Sequence, residues 1–205
     1  EVLTGGASSV YGSDAMAGVV RTIPVAPNLN EVEGKMATRF SQTGEEGGNN
    51  TMIQAVLNVP IIENTLALRG VVYQFDNSGY VNNVAVSQPR PGFSNTVGVF
   101  GGVATERGDI GADKYTGFRL AALWQPTEEL GITLSYLEQD IEQDGHPEVG
   151  LNLVGDYEQR TYNTGVEGSS FPLLENEVDI TSLVVNYDLG WGRVTSASSW
   201  VDYAV

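Results

Sequence analysis

The sequence contains no cysteine and a single histidine, and each shortage excludes a class of site. Without cysteine there is no disulfide framework, no thiolate nucleophile and no cysteine-type metal site. One histidine leaves no histidine pair for a metal within these 205 residues. No Gly-x-Ser-x-Gly motif is present either. The sequence therefore predicts a protein that is not an enzyme and that has no cofactor and no metal site.

Basic residues are also scarce: 10 Lys and Arg stand against 26 Asp and Glu, a formal net charge of -16. Nucleic-acid binding needs clustered Lys and Arg that neutralise phosphates, so we expect no nucleic-acid partner. The acidic excess is typical of a solvated surface; loops that attract cationic or metal-bearing ligands are the alternative interpretation.

No apolar run reaches the roughly 18 residues that a transmembrane helix needs, so any contact with a membrane would use strands. From about residue 33, apolar and polar residues alternate with the period of two that is typical of strands. The alternation predicts about seven strands, which lie near residues 34–42, 52–59, 65–70, 117–124, 132–139, 182–187 and 193–204.

The connections between these strands alternate in length. The short turns lie at residues 60–64, 126–130 and 188–192. A Gly/Asn-rich link at residues 43–50 joins the first pair of strands, and the two long connections lie at residues 77–114 and 141–177, so short and long connections alternate beyond that pair. In an up-and-down sheet this order places the tight turns at one end and the long connections at the other, as in transmembrane barrels. The aromatic residues near the short turns, typical of a bilayer interface, are Trp124, Tyr187 and Trp191.

Seven strands are too few for a membrane barrel. An unclosed edge in lipid leaves backbone groups unpaired, and bacterial single-chain barrels have even numbers of strands. We therefore expect the sequence to be part of a longer polypeptide.

The opening stretch EVLTGGASSVYGSDAMAGVVRTIP is Gly-rich but lacks both the P-loop ending and a G-x-G-x-x-G fingerprint. It resembles the end of the plug domain of TonB-dependent outer-membrane receptors. The matching residues are Glu1, Val2, Leu3, Gly5, Ser9, Tyr11, Gly12, Ala15, Gly18, Val19 and Val20. LALRGVVYQFDNSGYVNN (66–83) resembles the third barrel strand and its outside loop, and FRLAALWQPTEELGITLSYLEQD (118–140) resembles a strand–turn–strand unit. Thr4 and Arg21 depart from the common pattern.

This resemblance implies an all-β fold: a partial, antiparallel up-and-down transmembrane β-barrel, about seven of roughly 22 strands, preceded by the C-terminal part of a plug domain. Residues 1–27 would be the plug part and residues 28–205 the N-terminal part of the barrel. The implied function is energy-coupled uptake of a scarce, bulky nutrient (siderophore-iron, haem, cobalamin or an oligosaccharide) across the outer membrane of a Gram-negative bacterium. The implied partners are outer-membrane lipid, the nutrient, and TonB with ExbB and ExbD through an upstream segment.

The candidate site residues fall into three groups. The plug-motif residues, expected to be structural, are Gly5, Gly6, Tyr11, Gly12 and Gly18. Arg69 and Arg119 lie on polar strand faces that would line the lumen, and we expect them to pair with plug carboxylates rather than ligand. Substrate contacts are expected in the two long connections, at Asn82, Asn83, Phe93, Phe100, Tyr157 and Tyr162.

Two other functions are compatible with parts of the sequence. A passive or adhesive outer-membrane barrel would have no plug, so residues 1–24 count against it. A soluble, secreted, acidic all-β binding domain would have strands that are apolar on one face only and would not sort short from long connections.

Overall fold

The computed structural model describes residues 1–6, 8–11, 15–44, 47–83, 107–145, 158–159 and 173–205. Almost all regular structure in these ranges is β-strand. The elements are β1 (Val2–Thr4), α1 (Ser8–Tyr11), β2 (Gly18–Val20), β3 (Glu33–Gln42), β4 (Asn49–Ile62), β5 (Leu66–Asn77), β6 (Val81–Asn83), β7 (Arg107–Ile110), β8 (Ala112–Trp124), β9 (Leu130–Asp144), β10 (Glu158–Gln159), β11 (Leu173–Asp188) and β12 (Arg193–Ala204).

Seven strands form one sheet, here called the main sheet, in the order β3-β4-β5-β8-β9-β11-β12. Every neighbouring pair in it is antiparallel. The all-β expectation is confirmed, and the strand order is that of an up-and-down sheet. Because successive strands reverse direction, the short turns β4–β5, β8–β9 and β11–β12 share one end of the sheet, and the β5–β8 and β9–β11 connections share the other.

The strands extend beyond the limits that the alternation predicts. β9 runs to Asp144 and β11 begins at Leu173, so the predicted connection 141–177 starts and ends inside paired strands. β8 likewise begins at Ala112, inside the predicted connection 77–114. These strand ends carry polar residues on both faces, so no apolar period marks them. Backbone pairing to the neighbouring strands nevertheless continues through them.

Two smaller sheets accompany the main sheet. β1 and β2 form an antiparallel pair near the N-terminal end of the sequence. β10, β6 and β7 form a second sheet, in which the parallel pairing of β6 with β10 joins the two long connections. Val81 of β6 and Ile110 of β7 are fully buried there. The sequence alternation predicts neither of these pairings, because each strand is only two to four residues long.

At the centre of the main sheet, the side chain of Tyr73 lies against the backbone of Gly117 on the neighbouring strand. The Tyr73 hydroxyl donates to Gln139 Oε1 at 2.7 Å, and the ring reaches it by passing over Gly117, the residue paired with Tyr73. A Cβ at position 117 would lie 2.5 Å from the Tyr73 hydroxyl oxygen and 2.8 Å from the Glu138 carbonyl oxygen. Position 117 therefore needs glycine, because another residue would push the ring away from β8.

We expect Gly117→Ala to destabilise the fold by about 1–3 kcal/mol, the usual cost of overpacking. Gly70→Ala is the matched control, because a Cβ at Gly70, in the adjacent strand, would meet no atom within 4 Å. The free energy of unfolding of both variants is measured by urea titration under identical solvent conditions. Equal losses in the two variants would contradict the close approach at Gly117.

Candidate functional site

The two-residue period of the strands gives the main sheet two distinct faces. The apolar face carries large side chains such as Met36, Phe40, Ile53, Leu57, Val72, Leu120, Leu134 and Leu183. Several of these are about half exposed: Leu57 55%, Leu120 51% and Leu134 52%. The opposite face, here called the arginine face, carries Lys35, Arg39, Arg69 and Arg119. Exposed apolar surface of this extent is typical of a face that contacts another protein or a membrane.

A row of three polar residues crosses the arginine face near the short-turn end. The register pairs Glu33 with Asn58 and Asn58 with Arg69, so all three lie at one level of the ladder. Arg69 Nη1 donates to Glu33 Oε2 at 2.9 Å, and only 12% of the Arg69 side chain is exposed. Glu33 also accepts a hydrogen bond from Asn28 Nδ2 at 2.8 Å. This charge-assisted pair fixes the start of β3 on β5, although the two strands are not neighbours.

Asn58 is fully buried and binds the chain that leads into β3. Its Oδ1 accepts from the Asn28 backbone N–H at 2.9 Å. Its Nδ2 donates to the Asn28 carbonyl at 2.9 Å and to the Glu31 carbonyl at 2.8 Å. The side-chain amide thus replaces the partners that a neighbouring strand would give to residues 28–31. A polar side chain buried this deeply is stable because its donors and acceptor are all paired.

Arg119 lies diagonally beside Arg69 on the arginine face. Its Nη1 donates to the Val25 carbonyl at 3.3 Å, so the chain upstream of Asn28 also crosses this face. Plug carboxylates were the partners expected for both arginines. Among the described residues, the carboxylate partner of Arg69 is Glu33 of β3, and the partner of Arg119 is a backbone carbonyl. Pairing with further plug carboxylates stays a prediction.

The plug-motif glycines lie in the small β1–β2 unit. Gly5 follows β1 and donates its N–H to the Ala17 carbonyl at 3.2 Å, and Gly6 is next to it. Gly18 opens β2 with a φ of +151°, and a Cβ there would lie 2.5 Å from the Leu3 carbonyl oxygen. Only glycine fits this close pairing of the two strands. Tyr11 ends α1, and Gly12 lies outside the described residues.

Of the expected substrate contacts, two lie in the described residues. Asn82 is half-buried in β6 and pairs with Glu158 of β10, and Asn83 ends β6 opposite Arg107. The structure therefore brings the two long connections together at Asn82. The other four candidates lie outside the described residues: Phe93, Phe100, Tyr157 and Tyr162.

Toward the long connections the apolar face becomes acidic. Glu138 lies directly opposite Asp179, and Asp140 opposite Glu177. The Tyr136 hydroxyl lies 3.0 Å from Glu138 Oε2 and 3.2 Å from Asp179 Oδ1, so its single proton can be donated to either carboxylate. In the described part of the chain, no group of three or more His, Cys, Asp or Glu side chains is arranged to hold a metal ion.

Sequence reasoning missed Asn28, Glu33 and Asn58, which form the best-connected polar group on the arginine face. One signal was available: Asn58 interrupts the apolar run AVLNVPII, where a buried amide needs partners. The identity of those partners could not be read, because they lie 27 and 30 residues away.

No protein-family model matches the chain, and no curated protein and no solved structure is significantly similar to it. Within the described ranges, no helix has the length and hydropathy to cross a bilayer.

The Arg69–Glu33 pair is expected to stabilise the protein more than a surface ion pair does, because the guanidinium is nearly buried. A double-mutant cycle with Arg69→Met and Glu33→Gln isolates the coupling energy. The matched control is a second cycle with Lys114→Met and Glu142→Gln, whose side chains are 42% and 49% exposed at a distance of 3.3 Å. Both cycles are measured by urea unfolding, at low salt and at about 1 M salt, where the Debye length is about 3 Å.

We expect a larger coupling for Arg69 and Glu33, most of it retained at high salt, and a coupling for Lys114 and Glu142 that disappears. Equal couplings with equal salt dependence would mean that the row on the arginine face is an ordinary surface contact.

Proposed function

We propose that the chain is part of a TonB-dependent outer-membrane receptor: the end of its plug domain and the first strands of its transmembrane barrel. The receptor takes up a scarce, bulky nutrient across the outer membrane, driven by TonB with ExbB and ExbD. Residues 1–24 support the plug through their resemblance to that family. The observation that carries the membrane part of the proposal is that the apolar residues of the apolar face end along a line that runs obliquely across the strands.

The side chains of the apolar face change from apolar to polar toward the long connections, and from β3 to β11 the change moves stepwise toward the short turns. Val72 and Phe118 are directly paired and share one level, and on β12 the last aromatic residue, Trp200, is paired with Thr181. We call this limit the apolar boundary. The last apolar or aromatic residues before it are Phe40, Ile53, Val72, Phe118, Tyr136 and Leu183, on β3, β4, β5, β8, β9 and β11 respectively.

The register gives the slope of this boundary. Following the directly paired residues from Phe40 on β3 through β4, β5, β8 and β9 leads to Glu175 on β11. The boundary on β11 lies at Leu183 instead, and the difference between 175 and 183 is eight residues. Eight residues of strand are about 26 Å long, and the five strand spacings between β3 and β11 add up to about 24 Å.

The boundary is therefore inclined to the strands at about 45°, as a flat apolar layer would be if the strands crossed it obliquely. Strands of transmembrane barrels tilt about 35–45° from the bilayer normal. A soluble sheet packed on another sheet has no reason to place its polar limit on such a diagonal. The slope thus supports a bilayer as the partner of the apolar face.

Aromatic residues lie on both sides of the apolar layer. Phe118 and Tyr136 stand at the apolar boundary with their ring centroids 5.7 Å apart. Trp124, Tyr187 and Trp191 lie near the short turns and are exposed. Such rings are typical of the two interfaces of a membrane barrel, where an apolar ring and a polar edge are both satisfied.

Contacts on the arginine face are evidence for the proposed plug domain. In a barrel this face would line the lumen, and the chain between β2 and β3 already crosses it at Val25 and Asn28. A plug domain ending near residue 27 would enter the lumen from there. A passive barrel would have no such segment over its inner face.

We expect Leu57→Arg to cost about 2–4 kcal/mol of unfolding free energy in membrane vesicles, because it places a charge on the lipid side of the layer. Thr51→Arg is the matched control: it lies on the same face of β4, just beyond the boundary at Ile53, where the cost should be about 0–1 kcal/mol. The polypeptide encoded by the gene is used for both variants.

If Leu57→Arg costs no more than Thr51→Arg, the apolar face lies in water, and the soluble all-β binding domain becomes the better interpretation. A half-exposed leucine of a soluble protein accepts arginine at almost no cost.

Uptake itself is tested in Gram-negative cells with labelled ferric siderophores, haem, cobalamin and oligosaccharides. We expect one class to accumulate in cells with TonB and not in cells from which TonB is deleted. Accumulation that does not depend on TonB would favour the passive barrel, and absence of uptake of all four classes would favour an adhesive one.

A further inference from the structure

Just before β3, the chain changes within a few residues from an exposed segment to one that is hydrogen-bonded to the main sheet. Residues 20–26 are exposed, whereas Pro27 is buried and Asn28 is half-buried. Upstream of Pro27, the described contact with the main sheet is the exposed hydrogen bond from Arg119 to the Val25 carbonyl, 3.3 Å long. That bond is longer than the usual N–H···O distance and is open to water.

Downstream of Pro27 the bonds are shorter and reach three parts of the sheet. Buried Asn58 of β4 binds both backbone groups of Asn28 at 2.9 Å. The Leu29 carbonyl accepts from the Asn64 N–H of the β4–β5 turn at 3.2 Å. Glu33 is held by Arg69 of β5 at 2.9 Å. Residues 28–33, which we call the anchor, are therefore fixed to β4, to the turn after it and to β5.

The anchor is also braced internally. Asn28 Oδ1 accepts from the Asn30 N–H at 2.9 Å, and Asn28 Nδ2 donates to Glu33 Oε1 at 2.8 Å. The second bond joins the first and last residues of the anchor, and the first bond holds Asn30 against Asn28. Displacing Asn28 would therefore also disturb the carboxylate that pairs with Arg69.

A force that pulls on the chain from its N-terminal side meets these bonds in order. The exposed Arg119–Val25 bond opens first, because water replaces it at little cost. At Asn28 the N–H and the carbonyl are both held by one buried side chain, so two bonds must break together. Breaking them leaves buried polar groups without partners, which is the costly case.

We propose that the anchor is the fixed point at which movement of the plug ends: the exposed residues 20–26 are pulled away from the main sheet while residues 28–33 stay bound to it and keep it intact. The proposal rests on the proposed function, in which an energised partner pulls on the plug. It assigns Asn28 as the first residue that the main sheet holds firmly against such a force.

The test measures two distances between pairs of nitroxide labels, one from a residue before Pro27 and the other from a residue after it, in the full-length polypeptide in membrane vesicles during a urea titration. The absence of cysteine in these 205 residues allows nitroxide labels to be placed in pairs. One pair is Ile23→Cys with Glu63→Cys, and the other is Asn30→Cys with Glu63→Cys; all three positions are exposed. We expect the 23–63 distance to broaden at a lower urea concentration than the 30–63 distance.

Asn58→Ala should lower the urea concentration at which the 30–63 distance is half-broadened, its midpoint, to the value for the 23–63 distance, because the buried amide is lost. The matched control is Asn49→Ala, an exposed position at the other end of β4, which should keep the two midpoints apart. Simultaneous broadening of both distances in the protein with native Asn58 overturns the anchor, and this comparison needs no Asn58 variant. TonB-dependent uptake is measured separately, so its absence with separate midpoints contradicts the proposed function and not the anchor.

Discussion

The register between β4 and its neighbours is the constraint on which the rest of the structure depends. It places Asn58 and Arg69 on the arginine face and Leu57 on the apolar face. A slip of one residue would exchange the faces of a whole strand. Asn58 would then lose the carbonyls and the N–H of residues 28–31, and an unpaired amide would lie on the apolar face, which is costly. The buried amide thus selects the register as well as holding the chain.

An asparagine near each end of β4 binds a segment that is not itself a strand. At the short-turn end Asn58 holds residues 28–31. At the other end Asn50 Oδ1 accepts from the Ser78 N–H at 2.8 Å, and the Ser78 hydroxyl donates to Thr43 Oγ1 at 3.0 Å. Both asparagines point to the arginine face, because they are eight residues apart on one strand. β4 therefore fixes both the chain that enters the sheet and the start of the first long connection.

The sequence was sufficient for those features that depend on local patterns. Alternating side chains and short turns predicted the seven strands and their up-and-down order, because each turn joins strands adjacent in the chain. The acidic end of β9 up to Asp144 was assigned to a connection, because polar residues occupy both faces there and no alternation of apolar with polar residues marks a strand. The contacts of Asn58 with Asn28 and of Tyr73 with Gln139 span 30 and 66 residues, so they depend on the register of strands that the sequence does not pair by itself.

Acidic side chains are concentrated at the end of the main sheet that lies toward the long connections. Glu138, Asp179 and Asp202 occupy directly opposed positions on three adjacent strands, and like charges so placed repel. Water and salt that screen the charges weaken this repulsion, and the Tyr136 hydroxyl lies within hydrogen-bond distance of two of the carboxylates. The plug proposal depends on residues 1–24 and on the contacts of the arginine face with Val25 and Asn28, whereas the membrane proposal depends on side chains of the apolar face. The side chains behind the two proposals lie on opposite faces of the main sheet. An error in one therefore leaves the argument for the other intact, and the anchor at residues 28–33 lies where the two meet.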